Sequence, residues 1–115
     1  SILMANQLQQ RSQNLIPKTF ITTVAADAVY TIKPLDNYIL ISSTAAVKAI
    51  TLPVTTTIQR VTISMTATAG GSYTVAVVEG ALTFDAVNET AVIVSVPTVG
   101  STTWRVESLR GATIV

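Results

Sequence analysis

The side chains of this sequence that could perform acid–base chemistry are its carboxylates, because the chain contains no histidine and no cysteine. Histidine is the usual base near neutral pH, and cysteine serves both as a thiol nucleophile and as a zinc ligand. Without these residue types, catalysis would depend on serine, threonine, tyrosine, lysine or a carboxylate. The acidic residues are Asp27, Asp36, Glu79, Asp85, Glu89 and Glu107.

Three of these carboxylates, Glu79, Asp85 and Glu89, lie close together in the sequence. A glycosidase needs two carboxylates that face each other about 5–10 Å apart, and a calcium site needs several oxygen ligands at a regular spacing. The three residues lack a D-x-D-x-D-G type of spacing, and no substrate-binding motif accompanies them. Solvated loop charges explain them more simply. We therefore expect no catalytic residue, no metal site and no cofactor, and we interpret the protein as not an enzyme.

Trp104 is a candidate for carbohydrate binding, since sugar sites often use an exposed aromatic side chain with polar neighbours. It alternates with Val106 on a predicted strand whose other face carries Arg105 and Glu107. A tryptophan in this pattern is more often a residue of the core or of a seam between sheets. We therefore expect Trp104 to be structural.

The charge of the chain argues against nucleic acid and membrane partners. The net charge is +1, and 11% of the residues are charged, against about a quarter in typical soluble domains. Phosphate binding needs clustered lysine and arginine, whereas the basic residues here are scattered. No segment reaches the ~18 consecutive apolar residues that a membrane-spanning helix requires.

The same composition indicates that part of the surface is covered in the working protein. The apolar fraction is 49%, and a weakly charged, apolar surface suits a lone monomer poorly. We expect an oligomer or an assembly, and the alternative is a stable monomer with a threonine-rich surface.

From residue 18 onward the sequence has the pattern of β-strands separated by turn residues. Residues 61–66 alternate between apolar and hydroxyl side chains, and Gly70-Gly71 predicts a hairpin-type turn. Residues 37–53 predict two strands joined by a turn at residues 43–47. The strand spacing predicts a single all-β domain over residues 18–115: an antiparallel β-sandwich, a jelly roll or a small barrel of about eight strands.

Residues 1–17 differ from the rest and are predicted to form a separate, non-β N-terminal arm. The segment is rich in glutamine and asparagine and ends at Pro17. Its few apolar residues fit a short helix, while its composition also fits an extended polar arm or a disordered terminus. In an arm that reaches another subunit, the candidate partner-binding residues are Met4, Leu8, Arg11, Leu15 and Ile16.

Four segments of the chain, of which the first two act as one piece, form an ordered pattern. DNYILI at residues 36–41 is followed by AITLP at residues 49–53, then by RVTI at residues 60–63, and TWRV at residues 103–106 closes it. This pattern resembles the small β-rich modules of tailed-bacteriophage virions, found in tail fibres, spikes and head-decoration proteins, and it spans about residues 29–109. The chain differs from them at Gln59-Arg60, where a glycine often precedes the strand, and it lacks an Asp-Gly turn before the tryptophan.

The resemblance implies a structural virion protein, often a trimer, with no catalytic residues. We expect a capsid decoration protein, made in the host cytoplasm and located in the phage particle. It would form a homotrimer and bind the major capsid protein or another virion protein. The small size and single domain favour this role over a fibre. The main alternative is a tail fibre, spike or baseplate module with a receptor-binding or adaptor role, and a cellular β-sandwich binding domain comes after it.

Overall fold

The computed structural model describes residues 21–115, which form ten β-strands and no helix. Within that range, no helix therefore exists that could cross a membrane. The strands are β1 (Ile21–Thr23), β2 (Tyr30–Thr31), β3 (Tyr38–Ser43), β4 (Val47–Thr51), β5 (Arg60–Thr68), β6 (Ser72–Val77), β7 (Gly80–Phe84), β8 (Thr90–Thr98), β9 (Ser101–Arg110) and β10 (Thr113–Ile114). The predicted arm, residues 1–17, lies outside the described residues, as do its candidate partner-binding residues Met4, Leu8, Arg11, Leu15 and Ile16.

The strands build two five-stranded sheets that pack against each other. In sheet A the order is β1-β3-β5-β8-β9, and in sheet B it is β10-β7-β6-β4-β2. The buried side chains of both sheets form one core between the two layers. The prediction of an all-β domain is thus confirmed for the part of the chain that the structure describes.

The first six strands wind around the core in a way that the sequence did not predict. They alternate between the sheets, so that β1, β3 and β5 run parallel in sheet A while β2, β4 and β6 run parallel in sheet B. We call the pairs β1–β2, β3–β4 and β5–β6 the first, second and third coil of the chain. Each coil contributes one strand to each sheet. The expectation of a purely antiparallel domain is therefore wrong for this half, because a turn between sheets and a hairpin turn use the same residues.

Gly70-Gly71 illustrates this correction. The pair joins β5 of sheet A to β6 of sheet B, so it is a crossover between layers and not a hairpin. In the second half of the chain the antiparallel expectation does hold. There β6 pairs with β7, β7 with β10, β5 with β8, and β8 with β9, all antiparallel.

Alternation along each strand separates the core from the outer faces, as the sequence predicts. On β5, Val61, Ile63 and Met65 are fully buried, whereas the hydroxyl side chains between them face outward. On β3, Ile39 and Ile41 are buried in the same way. Residues 37–53 form two strands, as expected, with the turn between Ser43 and Val47.

Candidate functional site

The most buried carboxylate of the described residues, that of Asp36, fastens the first two coils together. Its side chain accepts hydrogen bonds from Thr22 Oγ1 at 2.8 Å, from the Tyr30 hydroxyl, and from the Lys33 backbone N–H at 2.8 Å. Thr22 lies on β1 and Tyr30 on β2, so the carboxylate joins one strand of each sheet. Asp36 is only 6% exposed, and its acceptor capacity is used inside the protein.

The pKa values of this cluster follow from those contacts. Burial raises the pKa of Asp36, but hydrogen bonds from Tyr30, Lys33 and Thr22 outweigh it, so the pKa lies below its ordinary value. Burial, together with the bond to Asp36, raises the pKa of the Tyr30 hydroxyl to about 12. Asp36 is therefore ionised and Tyr30 protonated at neutral pH, which is a stable structural pair and not a proton-transfer pair.

Gln59 extends the cluster to the third coil. Its side-chain amide donates to the Lys33 and Asp36 carbonyl oxygens, both at 2.8 Å. Its backbone N–H donates to Ser95 Oγ at 2.8 Å, which connects the loop before β5 to β8. Gln59, which departs from the virion-module pattern, thus holds the loops at this end of the molecule in place.

Asp27 makes a smaller version of the same arrangement at the other end. Its carboxylate accepts hydrogen bonds from the backbone N–H of Thr44 at 2.9 Å and from the Thr44 hydroxyl. These hydrogen bonds lower the pKa of Asp27. The residue has a positive φ of 60°, a conformation that aspartate tolerates better than most residues. It ties the turn of the first coil to the turn of the second.

The structure separates Glu79 from the other two carboxylates that could have formed a glycosidase pair or a calcium site. Glu79 lies before β7 and Asp85 and Glu89 follow it, about 20 Å away at ~3.4 Å per residue. Glu79 Oε1 accepts from the Val106 N–H at 3.0 Å. Glu89 Oε1 accepts from the backbone N–H groups of Asp85 at 2.6 Å and Ala86 at 2.9 Å. Across residues 21–115, no three acidic side chains gather as a metal site would require.

Trp104 lies in the seam between the two layers, which confirms the structural role predicted for it. It is 5% exposed, and its indole Nε1 donates to the Pro53 carbonyl oxygen at 2.8 Å. Its own carbonyl oxygen accepts from the Val78 N–H at 2.9 Å. The indole ring is therefore not presented as a stacking surface for a sugar.

An exposed apolar surface lies at the end of the molecule where β2, β4 and β8 finish. Four apolar side chains protrude from the loops there: Leu35, Val54, Ile58 and Val99, with exposures of 73%, 75%, 71% and 106%. We call these four residues the apolar pole. Residues 52–59 and 97–101 contain no charged residue, and Lys33 is the exposed charge of the neighbouring loop.

Two clefts open on the apolar pole. The first is lined by residues of the loops around Pro34, Pro53 and Val54 and holds about 170 Å³, below the roughly 300–1,000 Å³ typical of small-molecule sites. The second is a wide groove between Val54 and the turn at Val99 and Gly100. Residues 54–56 line both clefts, so their loop lies beside the loop of Pro34 on one side and the turn at Val99 on the other. This shape suits contact with another protein better than enclosure of a small ligand.

The apolar pole was missed in the sequence because its members do not lie on strands. Alternation identifies apolar residues that face a core, and loop residues have no such period. The available signal was the segment VTTTI at residues 54–58, which places two large apolar residues between turn-forming positions and has no charge.

The segments of the virion-module pattern occupy structural positions. Asp36 fastens the coils, Ile39 and Ile50 are buried in the core, and Pro53 accepts the hydrogen bond from Trp104. Each of these residues therefore secures a loop or fills the core of this chain. Comparison of the chain with protein-family models, with curated proteins and with solved structures gives no match.

Proposed function

We propose that this chain is a structural protein of a tailed-bacteriophage virion that decorates the assembled head. It would act as a homotrimer located in the virion and bind the major capsid protein or another virion protein. The observation that carries the proposal is the rigidly held, uncharged apolar pole, together with carboxylates committed to internal hydrogen bonds. The ordered pattern of residues 36–106, which resembles virion modules, gives the biological context.

Decoration stabilises a shell by mass action. A protein that binds the assembled lattice, and not its separated subunits, adds RT ln(1 + [L]/Kd) to lattice stability, about 2.7 kcal/mol at a hundredfold excess over Kd. A standard interface of roughly 1,200–2,000 Å² is enough for each site. Residues 1–17 would add contacts as an arm, since the chain enters β1 at the same end as the apolar pole.

The fold is consistent with a small structural protein that covers a shell. Among the sandwich, jelly roll and barrel, we propose the sandwich, because among the described residues the two sheets are ordered separately, each with its own edge strands. A receptor-binding role through Trp104 is disfavoured by the burial of its indole ring. A tail location remains the alternative that the experiment below distinguishes.

Co-sedimentation with isolated phage heads tests the proposal. We expect the full chain to pellet with heads and to raise the temperature at which they release DNA. A chain that lacks residues 1–16 should lose most of this binding while keeping the buried-tryptophan fluorescence of the folded domain. Binding to isolated tails only, or to neither particle, would contradict the decoration role.

A further inference from the structure

We propose that the first coil is a separately opening unit of the fold, held closed at its two ends by the carboxylates of Asp36 and Asp27, which we call the two latches. Its strands are short, with three residues in β1 and two in β2. Among the described strands, each lies at the edge of its sheet and pairs with the second coil. Short strands at a sheet edge open more readily than central strands.

At one end of the molecule, Asp36 holds both strands of the first coil at once. Its carboxylate accepts hydrogen bonds from Thr22 Oγ1 on β1 at 2.8 Å, from the Tyr30 hydroxyl on β2, and from the Lys33 N–H at 2.8 Å. Asp36 itself lies on the loop that leads into the second coil, and Gln59 Nε2 donates to its backbone carbonyl oxygen at 2.8 Å. This carboxylate therefore joins the first coil to the remainder of the molecule.

At the other end, Asp27 lies on the turn between β1 and β2 and joins that turn to the second coil. Its carboxylate accepts from the Thr44 N–H at 2.9 Å and from the Thr44 hydroxyl, while its own N–H donates to the Ser42 carbonyl oxygen at 3.2 Å. Beside it, the Tyr73 hydroxyl of the third coil donates to the Ala28 carbonyl oxygen at 2.7 Å. Two of these four hydrogen bonds depend on a side-chain carboxylate.

Between the latches, two backbone amides report directly on the contact between the first and second coils. The Val24 N–H donates to the Leu40 carbonyl oxygen at 2.9 Å, and the Ile32 N–H donates to the Thr51 carbonyl oxygen at 3.1 Å. The side chains of Val24 and Ile32 are buried, with exposures of 5% and 2%. Because the contact between the coils protects these amides, their exchange with solvent measures its opening.

Opening of the first coil would uncover the edges of β3 and β4, which pair with β1 and β2 in the closed molecule. Unpaired strand edges are templates for pairing with strands of other chains. The two latches therefore have a protective role, because they keep these edges covered as long as both carboxylates accept their hydrogen bonds.

Protonation of the latches weakens them in acid. Burial acts to raise the pKa of Asp36, but its hydrogen bonds hold that pKa below the ordinary value, and the hydrogen bonds from Thr44 lower the pKa of Asp27. Their stabilising contribution is present above the unfolded value of about 3.9 and is lost as the pH falls through the folded values. Lysine and tyrosine keep their charge between pH 7 and pH 3. The ionisable groups that face the latches are Tyr30 and Lys33 at Asp36, and Lys48 and Tyr73 at Asp27.

Hydrogen exchange of the full chain at pH 7 tests the inference with the substitutions Asp36→Asn and Asp27→Asn. We expect each to raise the exchange rates of the Val24 and Ile32 amides at least about tenfold, because hydrogen bonds to a charged acceptor are lost. Residues 91–94 of β8, which pairs with a strand on each side, should change less than about twofold. The control Asp85→Asn, on an exposed loop, should change neither set of amides.

Two outcomes would overturn the inference. Unchanged exchange of Val24 and Ile32 in either latch variant would mean that the carboxylates do not hold the coil, and an equal rise at residues 91–94 would mean that the molecule opens only as a whole. If tryptophan fluorescence shows that Asp36→Asn does not fold, the same comparison is made on Asp27→Asn and on the unaltered chain at pH 3, with allowance for intrinsic exchange rates. Head binding plays no part in this test, so the latches and the decoration role can fail separately.

Discussion

At the scale of single residues, several acidic side chains of this protein accept hydrogen bonds from other parts of the same chain. Asp36 accepts from two side chains and one backbone N–H, and Glu89 accepts from two successive backbone N–H groups. A carboxylate that satisfies several donors inside the protein contributes to stability and has little capacity left to exchange protons with a substrate. The sequence located these residues but did not identify their partners, because the conformation of the loops decides which nearby donors reach each carboxylate.

The Asp36 cluster predicts a specific dependence of stability on pH. We expect Asp36→Asn to lower the free energy of unfolding at pH 7 by about 1–3 kcal/mol, because three donors lose a charged acceptor. The folded-state pKa of Asp36 lies below the unfolded value of about 3.9, so its contribution is present above that value and is lost as the pH falls through the folded pKa. Urea denaturation between pH 7 and pH 3 measures both effects.

The control for this experiment is Asp85→Asn, which changes an exposed carboxylate on the loop after β7. It should unfold at nearly the same urea concentration as the unaltered chain. The account of Asp36 is wrong if the two variants lose equal stability, or if the difference between Asp36→Asn and the unaltered chain stays constant down to pH 3.

At the scale of elements, the positions of the strands were predictable and their connections were not. The alternation of residues 61–66 and 102–109 located β5 and β9 to within a few residues, because burial of one face imposes a period of two. Strands with parallel neighbours and strands with antiparallel neighbours show the same alternation of buried and exposed side chains, so the alternation does not reveal the direction of pairing. Which sheet a strand joins depends on where each turn directs the chain, and turn residues such as Gly70 serve hairpins and crossovers alike.

The crossover at Gly71 predicts which glycine the winding requires. The turn of the second coil lies directly over it: Gly71 N–H donates to the Thr44 carbonyl oxygen at 2.7 Å, and Ser72 N–H donates to that of Ala46 at 3.1 Å. A Cβ on Gly71 would lie 2.9 Å from the Thr44 oxygen and still closer to that of Ala46, both of them backbone atoms. We expect Gly71→Ala to cost about 1–3 kcal/mol or more by overpacking.

Gly100→Ala provides the comparison for this prediction. Gly100 has a φ of +74°, and no atom lies within 4 Å of a Cβ placed there, so alanine should cost only the backbone strain of about 1 kcal/mol. Urea denaturation followed by tryptophan fluorescence gives both values. A Gly71→Ala variant as stable as Gly100→Ala would mean that the two coils are not packed as closely as described.

At the scale of the whole molecule, surface chemistry separates the two ends. One end carries charged turns, whereas the other carries the apolar pole and receives the chain as it enters β1 from residues 1–20. The low charge of the sequence predicted covered surface without locating it, because composition is a property of the entire chain. Locating the pole required the fold, which gathers Leu35, Val54 and Val99 from three separate loops.

The measurement that tests the central claim most directly is quantitative mass spectrometry of heads and tails separated from phage particles that assemble in cells expressing this chain. The decoration role predicts that the chain is found on heads in a constant ratio to the major capsid protein, and that tails lack it. Its presence on tails alone, or its absence from both particles, would contradict the claim.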